Sequence, residues 1–381
     1  MPQAIDTHLL NLLRETCFGD GKAYFASLPP SEQQALCLQM QTPHLCCWCY
    51  RMLHDVLPPE VQSHFRRDYL YRSAQVARQQ KMKEELFALL ENAKIRFAPI
   101  KGADLAFELY PAPVMRYFCD LDILIHPEDC PRVLDVLQEA QWQEIPGHAI
   151  PNSHHHYPVR AKNKVALEAH KTLPNFDNIP PAEIWKHIHP IPPGCSQHRL
   201  APELRLMLLF RHALDHSEES VCKMLLDAAL ILKQSPVDME YMQQLAQQWK
   251  LPYPGHFLAA VPEFFPEEFI QKAGSTPEAA ALFRQFFDDA SACNAVPHSQ
   301  AVMSLNIWSR KWWISRWNSI SPDSIRNKYL LPKQGAYGRL LKAYSRDLPQ
   351  KLGQALRYLF RRDRNVQAYS RTVEKIDRYE K

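Results

Sequence analysis

The chain has 381 residues and is 46% hydrophobic, which is enough for a large buried core in two or three units. Ten glycines against 31 prolines favour helices separated by proline-marked turns and argue against a glycine-rich all-β protein. Residues 305–381 contain 18 Lys+Arg and 6 Asp+Glu, a net charge of +12, and because the whole chain carries +4, residues 1–304 carry −8.

The uneven charge predicts that the basic C-terminal region either binds a polyanion such as nucleic acid or packs on the acidic body, and we favour packing. The opening MPQAIDTHLLNLLRE has neither a basic nor a continuous apolar segment, so no secretory signal is expected. No apolar run is long enough to cross a bilayer. The ten cysteines are then expected to be reduced thiols of a cytoplasmic protein.

Residues 1–93 are predicted to form an N-terminal helical region. Apolar residues at helical spacing predict helices at 5–17, 31–40, 44–57 and 63–92, with Ser63 as the N-cap of the last. The cysteines at 46, 47 and 49 are interpreted as buried small hydrophobic residues, since no second Cys or Cys/His pair stands at metal-binding spacing.

The periodicity changes at Lys94, where a small α/β core over residues 94–175 is predicted to begin. Residues 95–100 read as a strand, Gly102 as a sharp turn, 103–110 as a helix and 121–125 as a second strand. Asp120 and Asp122 then face one side of that strand. Two adjacent carboxylates repel each other unless a cation neutralises them, so this pair predicts a divalent metal site.

A third strand is predicted over residues 164–170, where Val165 and Leu167 alternate with Glu168 and His170. A carboxylate on a neighbouring strand would supply the third ligand of the predicted metal site. The core is therefore expected to carry three acids on one face of a sheet.

Beyond the core, residues 176–300 are predicted to form a helical domain, with helices at 202–216, 221–233 and 238–249. Residues 301–381 are predicted to form a basic, Trp-rich helical C-terminal region. Its Trp-rich stretch, 308–317, could stack nucleic-acid bases, but the spacing also fits a core or interface helix, which we favour.

Two groups of histidines are candidate metal ligands. The run at 154–156 is better interpreted as a polar loop. His212 and His216 have the spacing of a zinc-protease helix, but Ala213 occupies the position of the glutamate base. A zinc protease is therefore not expected.

The motifs resemble a known family. Lys101-Gly102, Arg116, Asp120-x-Asp122 and Glu168-x-His170 together resemble the uncharacterised nucleotidyltransferase family of the DNA-polymerase-β-like superfamily. The similarity covers roughly residues 40–235, including the DLDILI strand and the histidine-containing helix at 208–216. The superfamily's usual Gly-Ser or Gly-Gly pair is replaced by Lys-Gly, which puts phosphate binding by a serine hydroxyl in doubt.

The resemblance implies an α+β fold, with a small nucleotidyltransferase-type mixed β-sheet core and flanking helices embedded in a largely α-helical chain. It also implies transfer of an NMP from an NTP, expected to be ATP, with Mg²⁺ or Mn²⁺ as cofactor. The acceptor is left open among a small molecule, a sugar, a protein and RNA.

The acids are expected to do the metal chemistry. Asp120 and Asp122 would hold the metal ions, and Glu168 would complete the second site and help deprotonate the acceptor. His170, on the same face as Glu168, would orient it or touch the acceptor. All three acids are present, which favours an active enzyme over the alternative, a catalytically inactive nucleotide-binding regulatory module of the same fold.

The groups ahead of the acids are expected to bind the NTP. Gly102 would bring backbone N–H groups to the phosphates, with Lys101 beside it. Arg116 would pair with the triphosphate, because its planar fork suits phosphate oxygens. The alternatives are a structural salt bridge from Arg116 to Asp120 and a plain strand-end role for Lys101.

Overall fold

The computed structural model of the chain describes residues 6–42, 45–145, 157–176, 178–215, 221–293 and 364–379. The histidine run at 154–156, His216 and the Trp-rich stretch at 308–317 lie outside these described residues.

The N-terminal region is helical, as predicted. Its helices are α1 (Thr7–Phe18), α2 (Gly21–Ser27), α3 (Pro30–Gln39), α4 (Cys46–Leu53) and α5 (Pro59–Asn92). The predicted N-cap at Ser63 is wrong, because α5 already begins at Pro59, directly after Pro58. Proline is well suited to the first helical position, since its ring fixes φ and that position needs no N–H donor. The cysteines of α4 are buried, and burial raises the pKa of Cys46 to about 12.

A five-stranded mixed sheet follows, with the strand order β1-β2-β5-β4-β3. Its elements are β1 (Phe97–Ile100), α6 (Lys101–Glu108), β2 (Asp120–Ile125), α7 (Cys130–Glu139), β3 (Gln143–Glu144), β4 (Arg160–Lys162) and β5 (Val165–His170). β1 and β2 are antiparallel, and β2 and β5 are parallel. The edge strands β3 and β4 were not predicted, because they are two and three residues long and carry too little alternation to detect.

The remaining elements are mainly helical. They are α8 (Pro181–Ile184), β6 (Ile188–Pro190), β7 (His198–Leu200), α9 (Pro202–Asp215), α10 (Val221–Gln234), α11 (Met239–Trp249), α12 (Pro254–Ala260), α13 (Glu267–Ala273), α14 (Pro277–Cys293) and α15 (Arg364–Tyr379). The region predicted to be a helical domain begins with α8 and also contains β6, which pairs with β7 in a small second sheet. The predicted α+β class, a mixed sheet inside a largely helical chain, is confirmed.

The interior contains two hydrophobic clusters. One lies between the sheet, α6, α7 and the C-terminal half of α5, and includes Leu86, Ile123 and Val133. The other joins the N-terminal helices to the helices after the sheet, and includes Trp48 and Leu226. The acids of β2 and β5 therefore lie where a sheet core meets a separate helical core. The division into regions 1–93, 94–175, 176–300 and 301–381 stays a prediction.

The last described helix, α15, packs on the helical core. The Tyr369 hydroxyl donates to the carbonyl oxygens of Ala213, at 3.2 Å, and Leu214, at 2.9 Å, near the end of α9. Thr372 donates to Asp289 at 2.8 Å. This part of the basic C-terminal region therefore contacts the body of the protein. None of the helices within the described residues is long and apolar enough to cross a membrane.

Candidate active site

The parallel pairing of β2 and β5 brings the predicted acids together. Asp122 lies opposite Glu168 in the strand register, and His170 follows Glu168 on the same face of β5. One ligand atom from each of Asp122, Glu168 and His170 lies within 4.8 Å of the other two. This closest group contains His170 and not Asp120. Asp120 comes two residues before Asp122 on the same face of β2 and lines the same cavity.

Asp122 is the centre of this cluster. Its Oδ1 atom accepts a hydrogen bond from the Lys101 ammonium at 3.0 Å and lies 2.8 Å from His170 Nε2. The same imidazole nitrogen lies 3.6 Å from Glu168 Oε2. Burial by itself would raise the pKa of Asp122, but Lys101 and His170 outweigh burial and hold that pKa below its ordinary value. Asp122 is therefore ionised near neutral pH. His170 lies closer to Asp122 than to Glu168, so the carboxylate that it orients is that of Asp122.

The other two acids are shifted in the opposite direction. Burial and the nearby charge of Asp122 raise the pKa of Asp120 to about 6 and that of Glu168 to about 7. These shifts are typical of carboxylates that crowd together out of water. A divalent cation held among them would favour their ionised forms. Oxygen ligands from carboxylates suit Mg²⁺ and Mn²⁺, so the three acids fit the predicted metal.

The turn ahead of α6 differs from the prediction. Lys101, and not Gly102, has the left-handed backbone conformation, with φ of 50°. Gly102 lies in the first turn of α6, where a Cβ atom would come within 2.5 Å of Phe118 Cβ and 2.9 Å of Arg116 Nη1. The glycine is therefore required for close packing. Both residues line the cavity beside the acids, and their phosphate-binding roles stay predictions.

Arg116 has a partner that the sequence did not indicate. Its Nε and Nη2 atoms each donate to Asp227, on α10, at 2.8 Å. Tyr110 donates to the same carboxylate at 2.7 Å. Asp227 is fully buried and Arg116 is 4% exposed. The structural alternative, a bridge from Arg116 to Asp120, is corrected to a buried bridge to Asp227. Contact between Arg116 and a triphosphate remains a prediction.

A cavity of about 470 Å³ joins the acids to the helical core. Its volume lies in the range of small-ligand pockets, which is about 300–1,000 Å³. The sheet side contributes Asp120, Asp122 and Glu168. On the opposite wall, α9 contributes residues at i, i+3, i+4 and i+7 on one helical face. These residues are Arg205, Leu208, Leu209 and His212. The neighbouring helix α10 adds Lys223.

The sequence analysis did not single out two charged residues of α10. Lys223 and Asp227 lie one turn apart in α10, VCKMLLDAALILKQ, whose middle is otherwise apolar. Both are buried. Burying a lysine and an aspartate in an apolar helix costs desolvation energy unless each side chain has a polar partner. A charged pair at i and i+4 in an apolar helix is therefore the sequence signal that could have identified Lys223 and Asp227.

The protein has a mixed sheet with a cluster of acids on β2 and β5, and a lysine lies beside these acids at a ligand-sized cavity. This arrangement is consistent with the nucleotidyltransferase class of fold. The family comparison agrees. A family model described as "Uncharacterised nucleotidyltransferase" matches residues 40–263, more than half of the chain, so the protein belongs to that family. Comparison with curated proteins and with solved structures finds no match.

Proposed function

We propose that the protein is a Mg²⁺- or Mn²⁺-dependent nucleotidyltransferase that moves an NMP from an NTP, expected to be ATP, to an acceptor. The observation that carries the proposal is the pairing of Asp122 with Glu168 across the parallel strands, with ligand atoms of Asp122, Glu168 and His170 within 4.8 Å at the wall of a cavity. The family membership supports the general reaction class.

In the proposed reaction an acceptor oxygen forms a bond to the α-phosphorus of the NTP. The bond from that phosphorus to the bridging oxygen breaks, and pyrophosphate leaves with the electron pair. Metal ions bound by such a carboxylate cluster would supply charge stabilisation for the phosphoryl transfer. Asp120, Asp122 and Glu168 are the proposed metal ligands, and Glu168 also takes the proton of the acceptor. His170 and Lys101 keep the Asp122 carboxylate in place by bonding to its Oδ1 atom.

The proposal is tested by incubating the protein with each labelled NTP, Mg²⁺ or Mn²⁺ and a cell extract. Wild type is compared with Asp122→Asn, and Asp135→Asn is a matched control because Asp135 is exposed on α7. We expect a labelled product with wild type and with the control, and none with Asp122→Asn. A product that forms equally well with Asp122→Asn would rule the proposed site out.

The second candidate function, an inactive nucleotide-binding module, makes a different prediction for the same experiment. It predicts that wild type binds an NTP tightly but gives no labelled product with any extract. The presence of all three acids at the cavity favours the enzyme.

A further inference from the structure

The long helix α5 has one face in the core and the opposite face in water. On the core face Phe65, Met82 and Leu86 are buried, and Gln79 donates to the carbonyl oxygen of Phe118 at 3.1 Å. The side chains of the opposite face are exposed and are separated by whole helical turns. We call six of them the α5 stripe: Arg66, Arg67, Leu70, Tyr71, Arg78 and Lys81.

The α5 stripe is basic in a part of the chain that is acidic. Residues 63–83 contain six Lys+Arg and one Asp+Glu, a net charge of +5, whereas residues 1–304 together carry −8. Arg66, Arg78 and Lys81 form no ion pair with any residue that the structure describes. Arg67 contacts a neutral-capable group, with its Nη2 atom 2.9 Å from His64 Nδ1. Like charges on one helical face repel each other, so a polyanion that lies along this face relieves that repulsion.

Two exposed apolar side chains lie between the charges of the α5 stripe. Leu70 is 58% exposed and Tyr71 is 65% exposed, and they are neighbours among only five large hydrophobic side chains that are exposed in the described part of the chain. Gln75 donates to the Tyr71 hydroxyl at 3.2 Å, which holds the ring along the helix. Ala74 and Ala77 follow on the same face and are small, so they leave room for a planar group beside the ring.

The spacing of the charges suits an extended anionic chain. Arg66 and Arg67 precede Tyr71, and Arg78 and Lys81 follow it. Arg67 and Arg78 are about 17 Å apart along the helix axis, so one phosphate group cannot contact both basic pairs. Proteins that bind single-stranded nucleic acids combine such charges with an aromatic ring on which a base stacks. A membrane surface fits less well, because helices that bind it present a continuous apolar face.

We propose that the α5 stripe binds single-stranded RNA, with phosphates at the two basic pairs and one base stacked on Tyr71. The unpaired bases of RNA loops and ends are free to stack on an aromatic side chain, whereas the bases of a duplex are not. This surface is separate from the cavity of the acids. Arg72, on the core face of α5, lies over the ring of Tyr117 at the cavity, 4.5 Å from its centroid. The proposal therefore does not depend on the proposed function.

The test measures binding of the full chain to a fluorescein-labelled RNA of about 12 unpaired nucleotides by fluorescence anisotropy, without NTP, from about 50 to about 200 mM salt. The triple variant Arg66→Gln/Arg78→Gln/Lys81→Gln should bind about 10-fold more weakly or worse at the lowest salt. The slope of log K against log salt should become shallower by about 2, because each phosphate contact contributes about 0.7. Tyr71→Ala should weaken binding by about 5-fold or more and leave the slope unchanged, because it removes stacking and no charge.

The matched control is Lys164→Gln/Lys250→Gln/Lys272→Gln, which removes the same number of exposed positive charges from positions outside α5. Its affinity for the RNA should change by less than about twofold. All six substituted residues are exposed, so thermal unfolding of both triple variants should match that of wild type. Each single variant of the stripe is measured as well, and each should give about a third of the change in slope.

Several results would overturn the proposal. Wild type that does not bind the RNA would remove it outright. Equal weakening by the two triple variants would assign binding to net charge and not to the α5 stripe. Full affinity of Tyr71→Ala, or equal binding of an RNA duplex, would exclude a stacked base. Binding to vesicles of anionic lipid in place of RNA would assign the stripe to a membrane surface. Since no NTP is present, each of these results leaves the proposed nucleotidyl transfer standing.

Discussion

Two buried aspartates, Asp122 on β2 and Asp227 on α10, have similar partners but different surroundings. Each accepts hydrogen bonds from a basic side chain and from one other donor-capable group. Asp227 is sealed, at 0% exposed, while Asp122 is 3% exposed and lines the cavity next to Asp120 and Glu168. Asp122 has Asp120 and Glu168 beside it, as the proposed metal site requires, whereas Asp227 joins α10 to the segment that leads into β2.

The largest expected effect is on the reaction, at the sheet aspartate. Under the proposed function, Asp122→Asn should lower nucleotidyl transfer by about 10³-fold or more, because the proposed metal ligand would lose its charge. The free energy of unfolding of Asp122→Asn should fall less than that of a variant at Asp227. The reason is that the Lys101 ammonium still has the negative charges of Glu168 and Asp120 nearby. Transfer assays and urea unfolding of the same protein preparation measure both effects. If the variant loses stability as severely as one at Asp227, the contrast between the two aspartates is wrong.

The next effect is on stability, at the helical aspartate. Asp227→Asn removes the carboxylate that neutralises Arg116, which is itself buried, and should reduce the free energy of unfolding by about 3–5 kcal/mol. Urea unfolding followed by circular dichroism measures this change. Adding Arg116→Met to the variant should restore part of the loss, because the buried charge is then removed as well. A loss below about 1 kcal/mol would mean that the bridge does not lock the cores.

A third effect is the pH dependence of stability that the acids of the sheet cause. In metal-free protein Asp120 and Glu168 have folded-state pKa values of about 6 and about 7, above their ordinary values of 3.8 and 4.5. The folded state then binds more protons than the unfolded state, so stability is greatest below the unfolded pKa values and falls as pH rises through the folded ones. We expect the free energy of unfolding in a chelator to drop by on the order of 1–3 kcal/mol from about pH 4 to about pH 8.

Asp122 contributes with the opposite sign, because its pKa is lowered. Its stabilisation is present above its ordinary pKa of 3.8 and is lost only on further acidification. Urea unfolding at a series of pH values gives the slope, and the double variant Asp120→Asn/Glu168→Gln should flatten it. Added Mg²⁺ should flatten it as well, by favouring the ionised acids. An unchanged slope in the double variant would assign the pH dependence to other groups.

The smallest expected effect is on stability, at Gly102 in the first turn of α6. Gly102→Ala would place a Cβ atom 2.5 Å from Phe118 Cβ and close to Arg116, so we expect a loss of about 1–2 kcal/mol from overpacking. Thermal unfolding measures it. Gly274→Ala serves for comparison, because Gly274 has φ of +61° but nothing within 4 Å, and that variant reports backbone strain alone. A Gly102→Ala variant as stable as wild type would show that the glycine is not required for close packing.

Much of the sheet side of the site was determined by the sequence. Alternation along a strand places Asp120 with Asp122, and Glu168 with His170, on single faces, and these periodicities are local. The resemblance over the motifs at 101–170 led to the correct family and fold class. The sequence also predicted the main helices, because their apolar faces repeat at helical spacing. It missed β3 and β4, which are too short to show a period.

Only the tertiary structure decided which partners the charged residues have. Arg116 and Asp227 form a hydrogen bond although they are 111 residues apart in the sequence. No local pattern links an arginine in a turn to an aspartate in a distant helix. The same holds for Lys223, which lies at the cavity because α10 packs beside the segment that carries Asp120. Strand alternation and helical period act over a few residues, whereas salt-bridge partners and cavity walls depend on how whole elements pack.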